Sequence, residues 1–212
     1  MRSARGAFAS FYESRSRFAK QTDEQEAVMP SEEQISVAII PEFEVDEALD
    51  AKLRAFLCEL FPNWESIFRT RRTWHDAKPI FTVLATDKNG AIAGHVAIVE
   101  RTISTEWNCR YPVASVQGVS VAPSRRGEGL ARKLIGMALD ESRRIGYLYA
   151  ILFCREPLVQ FYSRLGWKLP YDPMIMWRDR ELPIHMQSDY PMYYELTQEP
   201  FPGGSIDVHN PF

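Results

Sequence analysis

The chain has 212 residues, of which 45% are apolar and 25% charged, and its formal net charge is −3. This composition is that of a globular protein with a sizeable core, and the charge argues against a nucleic-acid-binding protein, which is usually basic. No apolar run reaches the roughly 18 residues of a membrane span, and the N-terminus lacks the apolar segment of a signal peptide. We therefore expect neither a nucleic acid nor a membrane as partner.

Three cysteines, Cys58, Cys109 and Cys154, are an odd number at no metal-ligand spacing. We therefore expect free thiols, no bound metal and a cytoplasmic location. Residues 1–34 are first rich in Arg and Ser and then acidic, which predicts an N-terminal extension and linker, with a transit peptide as the alternative. Residues 35–212 are predicted to form the domain.

The regular pattern begins with a predicted strand at 35–41. Asp46 is a predicted N-cap for a helix that ends before Pro62, and its apolar stripe consists of Leu49, Leu53, Phe56, Leu57 and Leu60. Residues 63–79 predict a short second helix over a binding cleft. Residues 80–87 and 91–103 are predicted strands joined by a hairpin turn at Asn89-Gly90, and 111–121 predicts a further strand.

The second half of the chain alternates helices and strands. A helix is predicted over 127–145 and ended by Gly146, with Leu130, Leu134, Ala138 and Ile145 on its buried side and Ala131, Ile135 and Ser142 beside them. The apolar run 147–154 predicts a buried strand. Pro157 begins a predicted helix whose inner face is Leu158, Phe161, Tyr162 and Leu165, and residues 191–196 form a late strand. This order predicts a mixed α/β fold.

The joint between the strand and the helix at 119–135, VSVAPSRRGEGLARKLI, indicates an anion site. A helix N-terminus presents unpaired N–H groups, and Gly127 and Gly129 would let a phosphate approach the backbone. Arg125 and Arg126 add positive charge. The spacing matches neither a nucleotide P-loop nor the three-glycine dinucleotide fingerprint. A basic turn without a ligand is the alternative.

Residues 35–197 resemble the GNAT superfamily of acyl-CoA-dependent N-acyltransferases. The motif [Q/R]-x-x-G-x-[G/A] is met by Arg126, Gly129 and Ala131, and FYSRLGW (161–167) resembles the family's later helix with its aromatic pair. The resemblance implies a mostly antiparallel, splayed central sheet flanked by helices. VQGVSV, FYSRLGW and the tail FPGGSIDVHNPF are most similar to the aminoglycoside 2′-N-acetyltransferase branch.

The resemblance also implies an acetyl-CoA site. The backbone of Val119, Ser120 and Val121 would pair with the pantetheine arm, and the acyl group would lie between strands 115–121 and 147–154. The N–H groups that would hold the pyrophosphate belong to Arg126, Gly127, Glu128, Gly129, Leu130 and Ala131. Tyr162 stands at the family's position for the proton donor to the thiolate, with a place in the core as the alternative.

The sequence does not identify which group acts as the general base. Many members carry a glutamate where this chain has Gln117, and an amide cannot accept a proton. A water chain or another acid would serve instead, with Glu100, Glu106, Asp172 and the C-terminal carboxylate of Phe212 as unranked candidates.

Several residues are predicted to line the acceptor pocket. Gln117, Gly118, Cys154 and Trp74 are the candidate contacts, and Trp64 and His75 lie in the segment that often covers the acceptor in this superfamily. Cys154 has no recognisable activating histidine, which favours a place in the core or pocket wall over a nucleophile. Met174, Met176, Trp177 and Met186 are equally compatible with pocket and core, and His95 is interpreted as a structural histidine.

The sequence therefore predicts an acetyl-CoA-dependent N-acetyltransferase that acts on a primary amine of a small molecule, an amino sugar among the options. One alternative is the transfer of a longer acyl group to an amino sugar. Another is a non-catalytic acyl-CoA-binding sensor, which Gln117 keeps open. A homodimer is compatible with the sequence.

Overall fold

The protein was analysed as a computed structural model, which describes residues 35–74, 77–171, 174–176, 189–204 and 206–208. These residues form one eight-stranded sheet. Its strands are β1 (Ser36–Pro41), β2 (Phe81–Thr86), β3 (Ile92–Thr105), β4 (Arg110–Val121), β5 (Tyr149–Arg155), β6 (Met174–Met176), β7 (Asp189–Glu195) and β8 (Ile206–Val208).

The main path of the sheet is β1-β2-β3-β4-β5-β7. Its pairs are antiparallel except for the parallel pair β4–β5. β6 and β8 were not predicted; β8 pairs with Ile103–Thr105 of β3 and, in parallel, with β6. At three residues each, these strands are too short to produce an alternating pattern in the sequence. The predicted fold class, a mixed and mostly antiparallel splayed sheet flanked by helices, is confirmed.

Four α-helices occur in the described residues: α1 (Glu47–Leu60), α2 (Glu65–Phe68), α3 (Leu130–Arg144) and α4 (Glu156–Ser163). The predicted N-cap of α1 is confirmed, because Asp46 Oδ1 accepts a hydrogen bond of 2.7 Å from the Leu49 N–H. Leu53 and Leu57 are the residues of α1 that are fully buried. The short helix predicted within 63–79 is α2, a single turn.

The two faces of the sheet carry different helices. A Cβ added to Gly94 of β3 would lie 2.7 Å from Leu134 of α3, whereas the next residue, His95, points toward Leu57 of α1 and toward Gly118. Because consecutive side chains of a strand point to opposite faces, α1 and α3 cover opposite sides. The larger core lies between the sheet and α3, with Val83, Val96, Ile98, Leu134 and Ala138 among its fully buried residues.

Three details of the predicted helices were wrong. α3 begins at Leu130 rather than at residue 127, because Gly127 and Gly129 have left-handed φ angles of 87° and 77°. Ile145 is 40% exposed because the helix ends at Arg144 and Ile145 is its C-cap. Leu158 is also 40% exposed, since the buried side of α4 runs through Val159 and Tyr162.

Two further expectations from the sequence concern membrane-spanning helices and the state of the cysteines. In the described ranges, no helix combines the length and the apolar character that crossing a bilayer requires. Cys58, Cys109 and Cys154 are free thiols, as predicted.

Candidate cofactor and acceptor site

A gap opens in the sheet between β4 and β5. The two strands pair only at Ala114 with Ala150 and at Ser115 with Ile151. Beyond these pairs β4 continues to Val121 beside β3, and β5 continues to Arg155 beside β7. From Val116 onward, the edge of β4 that faces β5 therefore has no strand partner within the described residues. An extended ligand can pair with a strand edge of this kind.

A β-bulge lies in β4 at this gap. The register between β3 and β4 shifts between His95, which pairs with Ser120, and Ala97, which pairs with Gln117. Gly118 stands within the bulge with a left-handed φ of 61°. The extra residue changes the alternation of the strand, so that Val116 and Val119 both pack on the α3 side. The bulge thus sets the orientation of Val119–Val121 along the gap.

An uncapped helix N-terminus follows β4. Gly129 is the N-cap of α3, and no side chain caps the helix. The first helical bond runs from the Lys133 N–H to the Gly129 carbonyl at 3.1 Å, so the amides of the preceding turn have no carbonyl of the helix to bind. A Cβ added to Gly127 or Gly129 would find no atom within 4 Å. The turn is open, and the positive end of the helix dipole faces that opening.

Two arginines flank this turn. The Nε of exposed Arg126 donates a hydrogen bond of 3.3 Å to the carbonyl of Val121, which ties the turn to the end of β4. Arg125 Nη1 lies 3.8 Å from Glu128 Oε1. The residues predicted to hold a pyrophosphate are therefore contiguous with the end of β4 at the gap, and they carry positive charge.

Tyr162 and Cys154 lie together on the α3 side of the sheet. Tyr162 of α4 is only 6% exposed, and its ring makes edge contacts with Phe161 and Trp167. Burial raises the pKa of the Tyr162 phenol above its ordinary value, and the nearby Cys154 adds to the shift. Cys154 of β5 is buried, with its Sγ 3.8 Å from the Met192 Sδ. The phenol is therefore a protonated group at neutral pH.

Gln117 connects β4 with the segment that precedes β2. Its side-chain Oε1 accepts a hydrogen bond of 3.1 Å from the Trp74 backbone N–H, and its Nε2 is 3.4 Å from the Ser115 Oγ. Gln117 is buried on the α1 side of the sheet. The structure thus brings together three predicted acceptor residues, Trp74, Gln117 and Gly118, on the side opposite to Tyr162 and Cys154.

Comparison with known proteins identifies the family. A family model described as an acetyltransferase (GNAT) domain matches residues 36–169, well over half of the chain. This chain belongs to the GNAT acetyltransferase family. The fold of this GNAT domain is similar to that of YhbS, a GNAT family N-acetyltransferase from Escherichia coli whose structure contains CoA, with a TM-score of 0.57, 17% identity and coverage of 90% of this chain and 94% of that one.

A second structure has the same fold. It is a GNAT family acetyltransferase from Brucella melitensis in complex with acetyl-CoA, with a TM-score of 0.53, 17% identity and coverage of 84% of this chain and 97% of that chain. Among curated proteins, an L-methionine sulfoximine/L-methionine sulfone acetyltransferase of Salmonella typhimurium is 32% identical over 82 residues. That match spans 36% of this chain and 43% of the relative's own length.

The segment over Gln117 is held in this GNAT domain by an aromatic cluster and by Arg72. Trp74 packs against Trp64, Phe68 and Phe61, with ring centroids 5.2, 4.8 and 6.3 Å away. The buried guanidinium of Arg72 binds both Glu42 carboxylate oxygens at 2.6 and 2.7 Å and Asp50 Oδ1 at 2.6 Å. Burial acts to raise the pKa of Asp50, but the hydrogen bonds and positive charges of Arg54 and Arg72 together outweigh it and lower the pKa.

The unranked candidate bases have different positions. Glu100 pairs with Ala114 at the closed end of the gap and accepts a hydrogen bond of 2.5 Å from the Tyr147 hydroxyl. Glu106 lies in the turn between β3 and β4, beside Gly204. Neither lies along the open part of the gap. Other predicted residues lie outside the described ones, namely His75, Asp172, Trp177, Met186 and Phe212, and no side-chain position is described for Met174 and Met176.

Sequence reasoning missed two residues that shape this site. Arg72 is one of several arginines in its segment, and no pattern distinguishes it as the buried one. His95 is a buried structural histidine, as interpreted, but the sequence did not show that it lies directly behind the bulge, with its Nδ1 3.0 Å from the Gly118 carbonyl oxygen. A glycine inside a predicted strand often marks a bulge, and Gly118 was the signal that could have drawn attention to the residue opposite it.

Proposed function

We propose that this protein transfers an acetyl group from acetyl-CoA to a primary amine of a small molecule. The observation that carries the proposal is the gap between β4 and β5, which has an open glycine turn at the end of β4 and a protonated phenol on one side. An extended thioester that carries a pyrophosphate would match both the free strand edge and the helix N-terminus.

The residues at the gap fit acetyl-CoA. The backbone of Val119, Ser120 and Val121 borders the free edge of β4 and would pair with the pantetheine arm. The glycines of the turn leave a space that a side chain would otherwise fill, and the N–H groups from Arg126 to Ala131 would bind the pyrophosphate. Acetyl-CoA supplies an activated thioester, which an uncharged amine can attack.

Tyr162 would hold the proton for the departing thiolate. A phenol whose pKa is raised stays protonated at neutral pH, so its hydroxyl can donate a hydrogen bond to the sulfur as negative charge develops there. The proton that the thiolate takes up is balanced by the proton that the attacking amine loses. Buried Cys154 would form part of the wall of the acyl pocket beside it. Its contact with Met192 agrees with an apolar wall and not with an activated nucleophile, which needs a positively charged neighbour.

Gln117 would hold Trp74 in place beside the acceptor pocket and would not accept a proton from the amine. Its amide oxygen is engaged by the Trp74 N–H, and an amide has no basic lone pair to offer. The amine would therefore lose its proton to water or to another group. The backbone of Gly118 and the ring of Trp74 would border the acceptor on the same side.

The similarities to other acetyltransferases suggest two classes of acceptor amine. The resemblance to the aminoglycoside 2′-N-acetyltransferase branch supports an amino sugar. The name of the Salmonella relative supports an amino-acid amine, as in methionine sulfoximine or sulfone. Both classes present a primary amine on a small polar molecule, and both belong in the test.

A non-catalytic acyl-CoA-binding sensor is the alternative that Gln117 favours, because the family's usual base is absent at this position. An acyltransferase for longer chains is a further alternative within the same chemistry. Both would bind CoA at the same turn, so CoA binding alone does not separate them from the proposal.

The deciding experiment measures the release of free CoA thiol from acetyl-CoA in the presence of amino sugars, amino acids, methionine sulfone and simple amines. Turnover with at least one amine, together with a product heavier by one acetyl group, supports the proposal. Saturable CoA binding with no turnover across the panel would favour the sensor. Preference for a longer acyl-CoA in competition would favour the longer-chain enzyme.

A further inference from the structure

His95 and Gly118 meet behind the bulge of β4. The register shift between β3 and β4 begins at His95, and a Cβ added to Gly118 would lie 3.2 Å from His95 Cε1 and 3.4 Å from its Nδ1. The imidazole therefore occupies the space in which a side chain of residue 118 would stand. Leu57 of α1 also borders this space, since its Cδ2 would lie 3.9 Å from a Cβ added to Gly118.

The contact with Gly118 fixes the form of the imidazole. A carbonyl oxygen only accepts hydrogen bonds, so the His95 Nδ1, at 3.0 Å from the Gly118 oxygen, must carry the proton and donate it. Burial is the main reason that the pKa of His95 falls to about 4, helped by the positive charge of Arg72 and opposed by the bond to Gly118. The ring is therefore neutral at pH 7, with its proton on Nδ1.

The carbonyl that His95 binds belongs to the bulged residue of β4, Gly118. At a bulge the ladder of hydrogen bonds is locally disrupted. Half-buried Gly118 has no partner in the register of β3 and β4, so its carbonyl depends on a donor from outside the ladder. His95 supplies that donor from a fully buried position where its own movement is restricted. The bulge in turn decides that Val119 follows Val116 onto the α3 side and sets how the backbone of Val119–Val121 borders the gap.

We propose that His95 is a positioning residue for the cofactor strand: its Nδ1–H holds the Gly118 carbonyl and thereby fixes the bulge that orients Val119–Val121 for the pantetheine arm. The part that concerns the pantetheine arm rests on the proposed function. The part that concerns the bulge does not, and it can be measured in the protein without ligand.

The test uses a pair of variants that differ in one hydrogen-bond donor. In asparagine the amide nitrogen is bonded directly to Cγ, as Nδ1 is in histidine, and in leucine a methyl group takes that place. His95→Asn therefore keeps a donor for Gly118, and His95→Leu removes it. His95→Gln moves the amide one atom outward and serves as the donor-displaced variant if His95→Leu does not fold.

Two measurements are made on the full chain at neutral pH: amide hydrogen exchange of residues 116–121 without ligand, and the Kd for CoA by calorimetry. We expect His95→Leu or His95→Gln to accelerate exchange in 116–121 by about tenfold or more and to raise the Kd by roughly 10- to 100-fold. His95→Asn is expected to stay within a few-fold of wild type in both. Where an acceptor is known, the KM for acetyl-CoA should rise more than kcat falls.

The outcomes separate the two proposals. Equal exchange in 116–121 and equal Kd for wild type, His95→Leu and His95→Asn would overturn the role of His95. Faster exchange over the whole sheet in both His95→Leu and His95→Asn would also overturn it. That result is expected when substitution of a core residue destabilises the entire domain. If wild type binds no CoA, the proposed function and the cofactor half of this inference fail, and the exchange contrast alone decides whether His95 holds the bulge.

Discussion

Tyr147 and Tyr162 are two buried tyrosines whose surroundings predict opposite consequences of losing a hydroxyl. Burial is the largest cause that raises the pKa of both phenols. The Tyr147 hydroxyl donates a hydrogen bond to the Glu100 carboxylate at the closed end of the gap, whereas Tyr162 lies beside Cys154. One hydroxyl serves the fold, and the other is proposed to serve the reaction.

Replacement of Tyr162 by Phe should reduce kcat for acetyl transfer by roughly 10²–10⁴-fold, the usual contribution of a positioned general acid. CoA affinity and Tm should stay near the wild-type values, because ring volume is kept. Steady-state kinetics with an acceptor from the amine panel and thermal unfolding check this expectation.

The matched control is Tyr147→Phe, which should show the reverse pattern. It loses a hydrogen bond to Glu100, so we expect about 1 kcal/mol lower stability with kcat unchanged. Near-normal kcat in Tyr162→Phe would remove this phenol from the mechanism and leave the thiolate to be protonated by water.

The buried His95 makes stability depend on pH. Its pKa is about 4 in the folded protein, compared with an ordinary value of 6.5. Between these values the unfolded chain binds more protons than the folded one, so stability falls as pH falls through this window. Relative to His95→Asn, wild type should lose about 3 kcal/mol of unfolding free energy between pH 6.5 and pH 4, and little more at lower pH.

Denaturant unfolding of both proteins across this pH range checks the expectation. The two proteins differ at residue 95 alone, so the difference between their stabilities isolates the contribution of the imidazole. A difference between the two proteins that does not change with pH would contradict a neutral, buried His95.

At the scale of the element, the turn before α3 combines an open backbone with a helix N-terminus. Gly129 has a left-handed φ of 77° and free space around its Cα. Aspartate tolerates this conformation better than most residues, so the protein is expected to fold with a carboxylate at this position. That carboxylate would occupy the space proposed for the pyrophosphate.

Gly129→Asp should therefore abolish measurable CoA binding, since each lost charge-assisted hydrogen bond costs about 1–3 kcal/mol and a like charge adds repulsion. Calorimetric titration with CoA measures the effect, and circular dichroism verifies folding.

Two controls separate charge from backbone strain. Gly136→Asp adds the same charge to α3 roughly 10 Å further along the helix, at a glycine that also has free space around it, and should keep CoA affinity. Gly129→Ala adds a Cβ without charge and should lose much less affinity than Gly129→Asp. Unchanged CoA affinity in a folded Gly129→Asp would show that the turn is not the cofactor site.

At the scale of the whole molecule, the domain is predicted to begin at residue 35. β1 starts at Ser36 and pairs along its whole length with β2. Val37 and Ile39 of this strand, and Ile35 just before it, pack against the main core. Residues 1–34 lie outside the described residues, and their polar composition predicts no contribution to a core.

Removal of residues 1–34 should consequently leave the Kd for CoA and the Tm close to those of the full chain. Calorimetry, thermal unfolding and light scattering on both chains measure affinity, stability and mass. Loss of folding, or the loss of a dimer that the full chain forms, would show that this segment packs on the domain or on a second copy.

The sequence by itself determined most of the elements and the glycine turn before α3, because both depend on local patterns. The Asp46 cap, the stripe of α1 and the Gly146 stop are read from a few neighbouring residues. The glycines and arginines at 125–129 are contiguous, and the unpaired amides of a helix N-terminus follow from helix geometry alone. The resemblance to the GNAT superfamily added the splayed sheet, which the described strands confirm.

Only the tertiary structure decided which side chains meet across distant segments. The bond between Gln117 and the Trp74 N–H joins residues 43 positions apart, and that between His95 and Gly118 joins residues 23 apart. Neither leaves a periodic signal, because it depends on the register of two strands and on one extra residue in β4. For the same reason, the burial of Arg72 and the short strands β6 and β8 were not predicted. They depend on contacts with segments that are distant in the sequence, and their own residues carry no local pattern that indicates them.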